Sequence, residues 1–267
     1  MSARHVWRAF LGILGREMRR FVRQRTRFLA ALVRPLVWLA IFAAGFRAVL
    51  GLSITPPYQT YVLYEVYIVP GLVGMTLLFS GMQNSLSMVY DREMGSMRVL
   101  LTSPLPRWLL LTMRLVAAVI VAVPLAYALL LIARFWGVRP PALGYLAALP
   151  AIILSGLMLG ALGLLVSSVS RQMENFAGVM NFVIFPLFFA STALYPIWRL
   201  DESSPLLAWI ARINPFSHAV ELIRFALYQR VEPIALCVVL ILFLLCLGLA
   251  ALAYDPGRGL WVRRGDM

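Results

Sequence analysis

The sequence predicts an all-α polytopic membrane protein with six transmembrane helices, and three observations lead there. Hydrophobic residues make up 62% of the 267-residue chain and charged residues 13%, with a mean hydropathy of +0.86, a balance foreign to a water-soluble globule. The apolar residues fall into six runs, 28–46, 66–90, 109–132, 144–169, 175–194 and 233–254. Each is long enough to cross ~30 Å of hydrocarbon at ~1.5 Å per residue. All 24 basic residues are arginine, and they gather beside the apolar runs. The net charge of +13 therefore reads as membrane orientation rather than nucleic-acid binding.

Residues 1–267 read as one transmembrane domain, beginning with a basic arm. In residues 1–27 eight arginines face a single acid, Glu17, and Val6, Phe10, Ile13, Leu14, Met18 and Phe21 recur at helical spacing. That pattern predicts an amphipathic helix in the membrane interface, drawn to anionic lipid. The basic region is long for a cleavable signal, and no clear small-residue cleavage site follows it. In the first span Arg34 lies near the inner end, where its side chain can snorkel, and Arg47 closes the span. Residues 48–65, with Pro56 and Pro57, read as an outer loop. Four tyrosines, Tyr58, Tyr61, Tyr64 and Tyr67, suggest an aromatic belt there.

The second span carries Gln83, Asn84, Ser85 and Ser87 in its inner half, and lipid cannot satisfy those groups. They require a protein neighbour or a watery path, and interhelical packing is the commoner role. After it comes a charged, proline-punctuated island, Tyr90 to Trp108, reading YDREMGSMRVLLTSPLPRW. Asp91, Arg92 and Glu93 mark water on this side, since an Arg or Asp at a helix centre costs ~2.5–3.5 kcal/mol. Residues 91–108 read either as a short amphipathic docking helix exposed to the cytosol or as a solvated loop.

In the third span Arg114 sits within snorkelling reach of the inner surface, and Pro124 suggests a kink. Gly156, Gly160 and Gly163 give the fourth span a small-residue face, for packing within the chain or between copies. The fifth carries Asn181, with Phe182, Phe185 and Phe189 on one face and Pro186 as an interruption; such a stripe serves plain packing more often than a substrate path. Residues 195–232 then predict two short outer helices, 206–213 and 216–228, with Asn214 or Ser217 as cap and Glu221 and Arg224 as an i,i+3 pair. Neither is long enough to span. Cys237 and Cys246 share one apolar run and read as packing residues, and no metal-ligand pattern stands out.

Charge sets the orientation. The inner segments hold 15 arginines and the outer segments 7, which places both termini on the cytoplasmic side of the inner membrane. The chain contains no lysine, so it cannot form a P-loop and must draw its energy from another chain or from an ion gradient.

The basic arm, the six runs, the element YDREMGSMRVLLTSPLPR and the segment FPLFFASTALYPIW...INPFSHAVELIR together resemble the permease subunit of type-2 ABC exporters across nearly the whole chain. The likeness is nearest the branch whose genes accompany quinoprotein alcohol oxidation. The resemblance implies that residues 91–108 hold a coupling helix seated in an ATPase subunit, with Glu93, Gly95, Arg98, Leu100, Thr102 and Pro104 at the contact. Arg16, Glu17, Arg19 and Arg20 would flank that partner. Spans two and five, through Gln83, Asn84, Asn181, Phe182, Phe185 and Phe189, would line the path and subunit interface, and the outer helices would form a gate. The implied assembly is a homodimer with two ATPase subunits, which carry the ATP and magnesium; this chain binds no cofactor of its own.

Rival classes leave weaker marks. A gradient-driven transporter usually buries a carboxylate or His deep in a span, whereas here acids and histidines fall at span ends or in loops. An intramembrane enzyme needs a motif such as HExxH or GxSxG, and neither is present.

Overall fold

The computed structural model describes residues 3–23, 25–46, 56–58, 62–93, 106–169 and 173–253, and among these the fold is helical. The helices are α1 (Ala3–Arg23), α2 (Arg25–Phe46), α3 (Tyr64–Glu93), α4 (Arg107–Ala133), α5 (Ala142–Val169), α6 (Met173–Phe189), α7 (Ile197–Ser203), α8 (Pro205–Ile213), α9 (Pro215–Leu227) and α10 (Pro233–Ala253). Four of them, α3, α4, α5 and α10, are long and apolar enough to cross a membrane; α2 and α6 contain shorter apolar stretches, Ala30–Phe42 and Gly178–Phe189.

The bundle is built around α3, which packs against α2, α4, α5, α6 and α9. Burial in the four long helices runs opposite to hydropathy. The share buried falls from 89% in α3 to 56% in α5, 44% in α4 and 22% in α10, while hydropathy rises in the same order. A helix walled in by protein can satisfy polar side chains through its neighbours, whereas one facing lipid has no such recourse. On α3 the neighbours serve Tyr64 and Tyr67, whose hydroxyls donate to the carbonyls of Leu194 and Thr192, while Thr76, Ser85 and Ser87 donate to the carbonyls of Leu72, Gly81 and Asn84 on the helix itself.

Small residues let α3 and α5 approach. A Cβ on Gly81 would stand 2.8 Å from the Gly160 Cα, and one on Gly163 would stand 2.8 Å from the Ser85 Oγ. The glycine face of α5 therefore packs within the chain. The basic arm forms one helix, α1, lying against α4 and α2. Val6, Phe10, Ile13, Leu14, Met18 and Phe21 are half-buried, while Arg4, Arg8, Arg16, Arg19 and Arg23 are exposed, as its periodicity predicts.

Four expectations need correction. Tyr58, Tyr64 and Tyr67 are not an interfacial belt: all three are buried, with hydroxyls bonded to backbone carbonyls. Arg114 is buried in the bundle instead of reaching for the inner surface. The helix of the fifth apolar run continues through Pro186 but ends at Phe189, five residues early. Its last carbonyls are taken by side chains: Asn214 Nδ2 donates to Leu187 at 2.8 Å and Ala190 at 2.7 Å, and Ser191 Oγ donates to Phe188 at 2.6 Å. Finally, a third short helix, α7, precedes the two outer helices predicted.

The close contact yields a paired test. Gly81→Ala should destabilise the purified protein in detergent by about 1–3 kcal/mol through overpacking, despite its better helix propensity. Gly178→Ala on α6, whose added Cβ meets open space, should leave the melting temperature unchanged or raise it. Equal thermal shifts in the two variants would refute the assigned contact.

Candidate transport and coupling elements

A buried polar knot holds α9 and the turn after α6 against α3. Arg224 on α9 is 1% exposed. Its guanidinium pairs with Glu221 one turn earlier, donates to the Thr192 carbonyl at 2.9 Å and the Tyr67 carbonyl at 3.4 Å, and lies 4.0 Å over the Tyr67 ring. Burial is the largest single influence and works against that charge, but the Glu221 carboxylate and the Tyr67 and Tyr58 hydroxyls together outweigh it and hold the guanidinium above its ordinary pKa. The surrounding bonds are equally direct. Tyr67 and Tyr64 donate their hydroxyls to the carbonyls of Thr192 at 2.8 Å and Leu194 at 3.1 Å. The Thr192 N–H donates to Ser217 Oγ at 3.1 Å, and Asn214 Oδ1 caps α9 by accepting from the Phe216 N–H at 2.9 Å.

Tyr58 closes the knot from outside. It meets Tyr228 edge-on at 4.8 Å, and its hydroxyl donates to the Val66 carbonyl at 3.3 Å. Burial raises the pKa of Tyr58 and pushes Tyr228 up to about 12, so both rings remain neutral near pH 7. On the far side Ser155 of α5 donates to the Ala219 carbonyl at 3.3 Å.

The path candidates divide between two helices. Gln83 and Asn84 are half-buried on α3, while Asn181, Phe182, Phe185 and Phe189 are exposed on α6. Phe185 stacks on Phe189 at 6.2 Å, and Phe189 meets Trp38 of α2 at 5.8 Å. A cavity of about 70 Å³ lies between α2 and α3, lined in part by Arg34, Phe79, Ser80 and Gln83. Arg34 does not extend away from the bundle: its guanidinium carbon rests 3.9 Å from the centre of the Phe79 ring.

Of the coupling candidates, Glu93 is exposed and ends α3. Gly95, Arg98, Leu100, Thr102 and Pro104 lie outside the described residues. On α1, Arg16 and Glu17 form a 3.1 Å ion pair and Arg19 donates to the Gly15 carbonyl at 3.1 Å; Arg20 lies on the same helix.

Sequence reasoning found the Glu221–Arg224 pair but missed its burial and its carbonyl partners. A signal was present, since an arginine within AVELIRFAL is a cation on an apolar helix too short to let it escape.

Long apolar helices around a buried centre, with an arginine-faced amphipathic helix alongside, define a multi-pass membrane protein. The chain belongs to the ABC-2 type transporter family, which it matches over residues 8–228. Among its relatives, "Probable multidrug ABC transporter permease YbhR" of Escherichia coli (strain K12) is 33% identical over 168 residues, covering 62% of this chain and 44% of that protein. A protein of Cyanophora paradoxa named as a transport permease, ycf38, is 25% identical over 208 residues, 76% of this chain and 68% of its own length. Nodulation protein J of Rhizobium leguminosarum bv. trifolii is 36% identical over 94 residues, 33% of this chain and 35% of that protein. The match to the E. coli protein thus spans less than half of that relative.

The knot predicts a strong asymmetry between two arginines. Arg224→Met should cost about 3–5 kcal/mol, because it leaves the half-buried Glu221 without its countercharge and takes one donor each from the Thr192 and Tyr67 carbonyls. Arg212→Met should cost about 1 kcal/mol or less, since its 2.7 Å pair with Asp201 is solvent-exposed. Arg224→Lys should rescue little, because a point charge cannot reproduce the guanidinium fork. Denaturation of the purified variants reads all three.

Proposed function

We propose that this chain is the membrane permease of an ATP-driven exporter and works as a homodimer with two copies of a separate ABC ATPase. The observation that carries this is the missing lysine: residues 1–267 match an ABC transporter family yet cannot build a P-loop, so that site lies outside them, and a separate ATPase is the reading we favour. ATP and magnesium are bound there. Helices α2 to α6 and α10 supply six spans in the inner membrane, with both termini cytoplasmic, an orientation supported by the 15 to 7 distribution of arginine.

The element at 91–108 is the coupling helix, with Glu93, Gly95, Arg98, Leu100, Thr102 and Pro104 against the ATPase and Arg16, Glu17, Arg19 and Arg20 of α1 beside it. Closure of the ATPases displaces this element and rocks one permease against the other, alternating access between α3 and α6. Asn181 supports a path or subunit contact on α6, since it is exposed on an apolar helix where lipid offers its amide no partner. The aromatic face around it fits an amphipathic, lipid-like cargo, in keeping with the "multidrug" in the E. coli relative's name. The turn and short helices from 190 to 228 form the outer gate.

The test is purification of the chain from its native membrane in mild detergent, with mass identification of what accompanies it. A stoichiometric chain bearing a complete P-loop is the expected result. Reproducible absence of one from intact protein would favour a gradient-driven transporter or a scaffold. In the reconstituted complex, Glu93→Arg or Arg98→Glu should abolish coupled ATPase activity without preventing insertion, and normal coupling in both would sink the assignment of the element.

A further inference from the structure

We propose that the cavity between α2 and α3 holds the anionic headgroup of a membrane amphiphile, with Arg34 as its countercharge. The argument begins with depth. Phe79, beneath the Arg34 guanidinium, lies near the middle of the 30-residue α3, which at ~1.5 Å per residue exceeds ~30 Å of hydrocarbon. Even if all the excess projected beyond Glu93, Phe79 would stand about 7 Å inside the hydrocarbon. The guanidinium over it is thus held at membrane depth and not at the interface.

A charge there needs compensation, and the described residues supply only part of it. The Phe79 ring face offers a cation–π contact at 3.9 Å. Among the described residues no carboxylate forms an ion pair with Arg34. Thr76, Phe79, Ser80 and Gln83 share one face of α3 and line the cavity, so a hydroxyl and an amide one turn apart lie near the cation. Arg34 itself is exposed, which leaves the cavity reachable from the bilayer.

Size and surroundings select the class of ligand. At about 70 Å³ the cavity is far smaller than the ~300–1,000 Å³ of a site that engulfs a whole small molecule. It suits a phosphate or carboxylate. Beside it Val33, Val37 and Ile41 form an exposed apolar ridge at i, i+4 spacing along α2, a surface for the attached acyl chain. A charged head at Arg34 and a tail on that ridge describe an anionic lipid or fatty acid. The inference rests on α2 and α3 standing in the bilayer and is independent of ATP-driven transport.

The test titrates the full-length purified chain in mild detergent with fluorescent phosphatidylglycerol and fluorescent oleate, using phosphatidylcholine as the neutral comparison. Saturable binding of at least one anionic probe is expected. Arg34→Gln should weaken it about tenfold or more, the loss of a charge-assisted contact, and Arg34→Lys should retain most of it. Ser80→Leu, which narrows the cavity and keeps the charge, should also weaken binding and reads the site if Arg34→Gln does not fold. Inorganic phosphate in millimolar excess should not displace the probe. Wild-type affinity in both Arg34→Gln and Ser80→Leu, binding of neither anionic probe, or complete displacement by inorganic phosphate would each overturn the proposal, the last by showing a site for a free oxyanion.

Discussion

One end of this bundle depends on one buried guanidinium. Arg224 cannot discard its proton, and an ion of its size loses several kcal/mol when it leaves water. It is tolerable only where carboxylate, carbonyl and ring converge on it. Glu221 comes from its own helix, the Thr192 carbonyl from the turn after α6, and the Tyr67 carbonyl and ring from α3. Satisfying one side chain thus fixes three segments together. The turn gains a second fastening through Ser217 and a third through Asn214, which caps α9 with one end of its amide and closes α6 with the other.

A consequence concerns how the molecule can move. The short helices α7 to α9 are not a loose flap, because breaking them from α3 would strand buried polar groups on both sides. They travel with α3. That helix is also locked to α5 through Gly81, Gly160 and Gly163, where backbone meets backbone. Close-packed contacts of this kind shift as units and resist bending. From Tyr64 beside the knot to exposed Glu93, α3 is a continuous rod joining the two ends of the bundle.

The sequence made this fold legible wherever the controlling interaction is local. Periodicity within residues 1–27 sufficed for α1, and the pattern Asn-Pro-Phe-Ser narrowed the cap of α9 to Asn214 or Ser217, of which Asn214 takes the role. It fell short where partners lie far apart in the chain. Tyr67 reaches Thr192 across 125 positions and Arg224 reaches Tyr67 across 157, distances over which no helical period carries information. The same limit explains Arg114, which a sequence-local rule sends to the surface and the bundle keeps inside. The early end of α6 was hidden for a related reason: Asn214, the residue that closes it, lies 24 positions beyond Ala190.

The exposed surface is itself divided by chemistry. Helix α10 is the least buried of the long helices, and from Pro233 to Ala253 it carries no amide, hydroxyl or charged side chain. Its buried residues Ala235, Val239, Cys246 and Ala250 follow a helical stripe, and the remaining faces are apolar, as lipid demands. Helix α6 also exposes large apolar rings, yet it places Asn181 among them. A carboxamide immersed in hydrocarbon would leave donors and acceptor unsatisfied at a cost of several kcal/mol, which apolar neighbours cannot offset. The two surfaces therefore meet different surroundings: lipid suffices for α10, whereas α6 calls for water or another polypeptide. The proposed homodimer would supply both at that face, a second copy and the path between the copies.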